Sequence, residues 1–166
     1  MRGFAPQGYK PLAMIALDLP DEAATAALAG RIAALAQRGD VIALRGELGA
    51  GKSSFARAFI RARGGEEPIP SPTFNLALPY DLPGGTVWHF DFYRLRRPDE
   101  AWELGIEDAF ADAISLIEWP EHAAALLPPH ALEIALLPGS NANSRRAEIT
   151  AGAGWAERLA IPAPGA

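Results

Sequence analysis

A short apolar run, Val41-Ile42-Ala43-Leu44, breaks into Gly46-Glu47-Leu48-Gly49-Ala50-Gly51-Lys52-Ser53-Ser54, and a helix-compatible segment follows. This is G-x-x-x-x-G-K-S with a strand before it and a helix after it, and the spacing has a physical reason. Gly46, Gly49 and Gly51 let the backbone turn tightly with its N–H groups aimed inward as a nest. The next helix starts with its positive end on the same spot. Lys52 adds a point charge for the β- and γ-phosphates, and the Ser53 hydroxyl can ligate Mg²⁺. The stretch therefore reads as a nucleotide-binding site, with residues 46–54 lining it.

The rest of the chain supplies units that fit around such a loop. Residues 14–17 form a short strand. Asp21 then caps a helix with Ala24, Leu28, Ile32 and Leu35 at helical spacing, running to Gln37 and stopped by Gly39. Phe55, Phe59 and Ala62 give the helix after the loop its buried stripe, with Arg57, Arg61 and Arg63 facing away. Prolines 68, 70 and 72 hold an extended course that leads into alternating Leu76, Leu78 and Tyr80. A turn at 81–85 and a strand at 86–90 complete a hairpin and deliver Asp91. Two short helices flank Gly105. A second buried strand, 113–117, delivers Glu118, and Pro120 opens a helix to Leu126. A hairpin over 132–150 and one helical turn near Trp155 end the pattern.

Strand-and-helix alternation around a phosphate loop predicts an α/β fold. Its form is a three-layer P-loop NTPase-like sandwich, with a largely parallel central sheet and antiparallel hairpins (74–90 and 132–150) at its edges. The expected organisation is a flexible extension at 1–11, one domain at 12–151 and a tail at 152–166. Ligands in such sheets sit at the carboxyl ends of strands. Asp91 and Glu118 each follow an apolar strand, so both belong beside the phosphates.

Mg²⁺ on a nucleotide takes one or two carboxylates, so Ser53, Asp91 and Glu118 are the candidate metal residues. One acid would serve the metal and the other would orient or deprotonate the attacking water; position along the chain leaves the two roles exchangeable. Thr73, in the proline-stiffened loop, is either a switch hydroxyl that meets the metal or γ-phosphate, or an ordinary turn threonine. Arg94 suits a phosphate contact or a surface ion pair, and Trp119 suits packing, nucleotide cover or partner docking. His89, His122 and His130 have no metal-ligand spacing, which argues against zinc.

Composition narrows the function classes. With no cysteine, disulfides and thiolate chemistry are excluded. A net charge of −5 speaks against an extended nucleic-acid surface, so any RNA pathway would be served through protein partners. The apolar runs are too short for a membrane span, the N-terminus resembles no leader, and a cytoplasmic protein is expected.

In order, residues 46–53, Ser71-Pro72-Thr73-Phe74, His89-Phe90-Asp91-Phe92-Tyr93-Arg94, Glu103-Leu104-Gly105 and Ile117-Glu118-Trp119-Pro120-Glu121 resemble the bacterial TsaE (YjeE) family. These are the small ATPases of tRNA threonylcarbamoyladenosine biosynthesis, and the resemblance covers residues 14–150. It implies ATP and Mg²⁺ as ligands, TsaD and TsaB as partners, and contact with tRNA only through that complex. It also implies a nucleotide cycle that resets the partners rather than performing the transfer. By position it makes Lys52 and Ser53 the phosphate and metal residues, Thr73 the switch threonine, Asp91 the metal-associated aspartate and Glu118 a degenerate Walker B acid. Catalytic work falls to Glu118, Lys52 and Thr73. Ser53 stands where threonine is common and keeps the hydroxyl. Two other readings share the loop: a small-molecule P-loop kinase, for which Arg96-Arg97 is the only hint of a lid, and a nucleotide-gated binding module with incidental hydrolysis.

Overall fold

The computed structural model describes residues 13–70, 72 and 76–161. Its strands are β1 (Ala13–Leu19), β2 (Val41–Arg45), β3 (Ala77–Leu82), β4 (Gly85–Asp91), β5 (Ile114–Glu118), β6 (Leu132–Pro138) and β7 (Arg145–Ala151). They form one sheet in the order β1-β7-β6-β2-β5-β4-β3. The four central strands, β6, β2, β5 and β4, run parallel. β3 adds antiparallel at one edge. At the other side β7 is antiparallel to β6, and β1 covers β7 over residues 13–19. The 132–150 hairpin thus lies one strand in, and β1 forms the edge.

β2 and β5 are buried almost throughout, as expected of strands covered on both faces. Ile42, Leu44, Ile114 and Leu116 face helices α1 (Glu22–Leu35) and α2 (Lys52–Ala62). Val41 and Ile117 face the opposite layer, where α3 (Glu100–Glu103), α4 (Ile106–Asp112) and a 3₁₀ helix (Pro120–Leu126) contribute Ala101, Ile106, Ala109 and Ala123. The three layers follow from strand periodicity alone: alternate residues of each central strand need an apolar partner on opposite sides.

Three local expectations are corrected. α1 stops at Leu35, because Asp40 accepts the Gln37 N–H at 2.6 Å and turns the chain; Gly39 (φ 92°) lies in that turn rather than at the helix end. The buried stripe of α2 is Phe55, Ala56, Phe59 and Ile60, and Ala62 at its last position is exposed. Arg63 does not face away into solvent: its Nη1 donates to the carbonyls of Ala33 (2.8 Å) and Ala36 (3.3 Å), closing the end of α1.

After β7 the chain forms α5 (Ala153–Arg158), and Trp155 joins the main core at 2% exposure. Arg158 grips buried Asp40 through both carboxylate oxygens (2.6 and 3.2 Å) and stacks 4.3 Å from the Trp155 ring. Trp155→Ala should therefore destabilise the protein by about 3–5 kcal/mol, as for other large-to-small core changes. Urea unfolding followed by circular dichroism checks this; a loss below about 1 kcal/mol, an ordinary surface effect, would mean that α5 is peripheral.

Candidate functional site

The phosphate loop joins β2 to α2. Gly46 (φ 153°) has no room for a side chain, since a Cβ would lie 2.7 Å from the Leu136 carbonyl of β6. Gly51 (φ 102°) caps α2 in the left-handed region, which glycine adopts at least cost. The first turn of α2 therefore opens straight onto the loop, with Lys52 and Ser53 at its start.

Lys52 is 5% exposed. Its Nζ donates to the carbonyls of Gly46 (2.5 Å) and Glu47 (2.8 Å) and lies 4.2 Å from the centre of the Trp119 ring. Burial pulls its pKa below the usual lysine value, against the opposing charges of Glu118, Glu121 and Asp91. A partly desolvated ammonium held on neutral carbonyls has much to gain from a phosphate.

Parallel pairing of β4 with β5 sets Asp91 directly opposite Glu118, and β2 with β5 sets Glu118 opposite Leu44. Both acids thus arrive at the carboxyl ends of strands beside the loop. The Ser53 hydroxyl donates to Glu118 Oε1 at 2.8 Å, and His89, fully buried, donates from Nε2 to Glu118 Oε2 at 2.6 Å. Burial pushes the Glu118 carboxyl up, but the His89 contact, the Ser53 hydrogen bond and the Lys52 charge outweigh it and hold the pKa below the usual value. Asp91 goes the other way. Burial raises its carboxyl and neighbouring Glu118 adds to the rise, against a 3.0 Å hydrogen bond from the Tyr93 N–H. The two environments push the carboxyls in opposite directions, Glu118 toward the ionised form and Asp91 toward the protonated one.

Trp119 adopts φ 57°, ψ 49°, a left-handed conformation costly for a bulky residue. That geometry lays its ring over Lys52 and against Tyr93 at 4.9 Å. An open cleft of about 390 Å³ is lined by Leu48, Lys52, Ser53, Asp91, Arg94 and Glu118 among others. A second cleft of about 470 Å³ meets it at Gly49, Gly51 and Ser54 and runs past Thr25 of α1, Arg57 and the 139–144 turn. Thr73 lies outside the described residues; the backbone of Leu76, just after that stretch, accepts the Asp91 N–H at 2.9 Å.

Lys52, Ser53, Asp91 and Glu118 are therefore brought together, as their spacing predicts. His89, weighed above only as a metal ligand and as part of the 89–94 motif, and Arg145, given no role there, also contact this site. Strand periodicity carried a signal for the first: residues 89 and 91 share a face of β4, the face on which Glu118 lies in β5. Arg145 carries no local signal, since its contacts to Gly49 and Ala50 span 96 and 95 residues.

The TsaE profile, described as threonylcarbamoyl adenosine biosynthesis protein, matches residues 19–147. The chain is 42% identical over 121 residues to the tRNA threonylcarbamoyladenosine biosynthesis protein TsaE of Rickettsia felis, covering 72% of this chain and 71% of that one. It is 36% identical over 118 residues to the protein of the same description from Bacillus subtilis, covering 70% and 72%. The fold superposes on the crystal structure of Bacillus subtilis YdiB with a TM-score of 0.73 and 27% identity, covering 92% of this chain and 95% of that one.

Proposed function

The chain belongs to the TsaE family of tRNA threonylcarbamoyladenosine biosynthesis, and we propose that it is a magnesium-dependent ATPase. In this reading its nucleotide cycle switches an assembly of TsaD- and TsaB-like proteins that modifies tRNA. The observation that carries the reading is the Ser53–Glu118–His89 chain beside Lys52, a glycine-rich loop already connected to a buried acid.

The donors fit magnesium. Ser53, Glu118 and Asp91 offer only hard oxygen atoms. Among the described residues no cluster of three or more acidic or histidine side chains forms a ready-made cage. Magnesium keeps several waters and is completed by phosphates, so it needs few protein oxygens. When bound, it would neutralise charge on the β- and γ-phosphate oxygens.

The protein's own groups divide the remaining work. Lys52 leaves the Gly46 and Glu47 carbonyls for the phosphates. Glu118, bonded to Ser53, would be the acid on the metal side, and His89 keeps its carboxylate in place. Asp91, one strand further out and with its pKa raised by burial, takes here the water-activating role that the family resemblance gives to Glu118: it accepts the proton of the attacking water as the water oxygen bonds to the γ-phosphorus and the bridging oxygen departs with ADP. The larger cleft gives base and ribose a place beside Gly49 and Gly51. Preference for adenine rests on the family. The kinase alternative gains nothing here, because Arg97 sits in an exposed ion pair with Asp99 (3.5 Å).

No helix among the described residues is long and apolar enough to cross a membrane, and the reading places the protein in the cytoplasm. Deleting the gene from its host should deplete threonylcarbamoyladenosine in bulk tRNA, measured by nucleoside mass spectrometry. Unchanged modification would remove the pathway and leave the nucleotide site standing.

A further inference from the structure

Arg145 is the first residue of β7, yet its guanidinium points back to the phosphate loop. Nε donates to the Ala50 carbonyl at 2.9 Å and Nη2 to the Gly49 carbonyl at 3.0 Å. Nη1 donates to the carbonyls of Ala142 and Ser144, each at 2.8 Å. One planar cation thus joins two carbonyls of the glycine-rich loop to two carbonyls of the β6–β7 turn.

The turn is a firm anchor. Asn141 Oδ1 accepts the N–H groups of Asn143 and Ser144, both at 3.0 Å, while the Asn141 N–H donates to Ser144 Oγ at 2.9 Å. The Gly139 N–H closes the base of the turn on the Ser144 carbonyl at 3.1 Å. The phosphate loop, with glycines at 46, 49 and 51, is the opposite: glycine gives it shape but also the largest conformational freedom to lose. Bracing the loop against the turn removes that cost before a ligand arrives.

Charge works in the same direction. The peptide units whose carbonyls Arg145 holds carry the N–H groups of Ala50 and Gly51 at their other ends. A cation on the carbonyl side polarises each unit: it strengthens the Ala50 N–H bond to the Glu47 carbonyl (3.0 Å), which shapes the loop, and makes the Gly51 N–H a better donor. A lysine could not substitute, since a point charge cannot hold four carbonyls in one fixed fork.

We infer that Arg145 is a positioning residue of the phosphate site. It holds Gly49 and Ala50 in the shape that receives the polyphosphate of a nucleotide, and so governs nucleotide affinity rather than the chemical step. The inference rests on the nucleotide reading above.

The test titrates Mg·ADP by calorimetry into the wild type, Arg145→Lys and Arg145→Ala, alongside melting temperatures and single-turnover ATP hydrolysis at saturation. Leaving Gly49 and Ala50 to be ordered only when the nucleotide arrives predicts binding weaker by roughly tenfold to a hundredfold in both variants, with the saturated rate falling far less than affinity and no matching fall in melting temperature. Methylguanidinium should restore affinity to Arg145→Ala, and methylammonium should not. Should Arg145→Ala fail to fold, Arg145→Lys and the wild type decide: the Arg145 Nε–H resonance should be protected from exchange and should shift on adding Mg·ADP. Wild-type affinity in Arg145→Lys, an unprotected Nε–H, or affinity lost only in step with stability and without rescue, would overturn the inference. A wild type that does not bind Mg·ADP would instead sink the nucleotide reading itself.

Discussion

Lys52→Ala is expected to abolish ATP turnover and to weaken Mg·ATP binding by two to three orders of magnitude while leaving the fold intact. Truncating one partner of a desolvated charge pair costs about 3–5 kcal/mol, and each 1.4 kcal/mol is about tenfold in affinity. Stability should change little, because in the free protein the buried ammonium holds only two loop carbonyls and an aromatic face. Deleting it also relieves the desolvation that depresses its pKa. The depressed pKa has a second consequence. Affinity in the wild type should fall as pH rises through that value, since an uncharged amine must first gain a proton to meet phosphate. Calorimetric titration with Mg·ATP measures both effects, and wild-type affinity in the variant would remove the phosphate site from residues 46–54.

The two acids should separate cleanly. Asp91→Asn is expected to bind Mg·ATP within about threefold of wild type and to lose hydrolysis by 10²–10⁴-fold, the usual range for a general base. Glu118→Gln removes the anion that bonds Ser53, so nucleotide affinity should lose its dependence on magnesium along with the activity. The pH profile carries a matching sign. Burial raises the Asp91 carboxyl, and the base works only when deprotonated. Single-turnover rate should therefore be present above that raised pKa and fall as pH drops through it, at a higher pH than an unperturbed aspartate would give. The residual rate of Asp91→Asn should be flat across the same interval. An Asp91→Asn protein that hydrolyses like wild type would transfer the role to Glu118, the exchange that strand position alone permits.

The legible features are the local ones. The phosphate loop, its flanking strand and helix, and the acids ending β4 and β5 can be read along the chain, because glycine spacing and apolar runs act over a few residues. Which neighbour each strand takes is a long-range matter. That Asp91 sits opposite Glu118 depends on β4 joining β5, and that β1 closes the edge depends on pairing with β7. Arg145 reads locally as a strand residue; only the fold returns it to Gly49 and Ala50. Arg63 shows the same limit, since a basic residue at a helix end looks solvated until another helix presents its carbonyls. Trp155 is buried because Asp40, 118 residues before Arg158, waits to hold the helix that carries it. His89 was within reach, through the two-residue period it shares with Asp91.

At the root of this reading, the glycine loop at 46–53 receives a magnesium-bound triphosphate, with Glu118 of β5 on the metal side and Asp91 of β4 on the water side. A crystal structure with magnesium and a non-hydrolysable ATP analogue decides it. Lys52 Nζ should lie on the β- and γ-phosphates and Ser53 Oγ on the metal. Glu118 should lie in the metal's immediate surroundings, with Asp91 facing the water in line with the γ-phosphorus. Phosphates lodged elsewhere, or both carboxyls turned away from a metal at the loop, would contradict it.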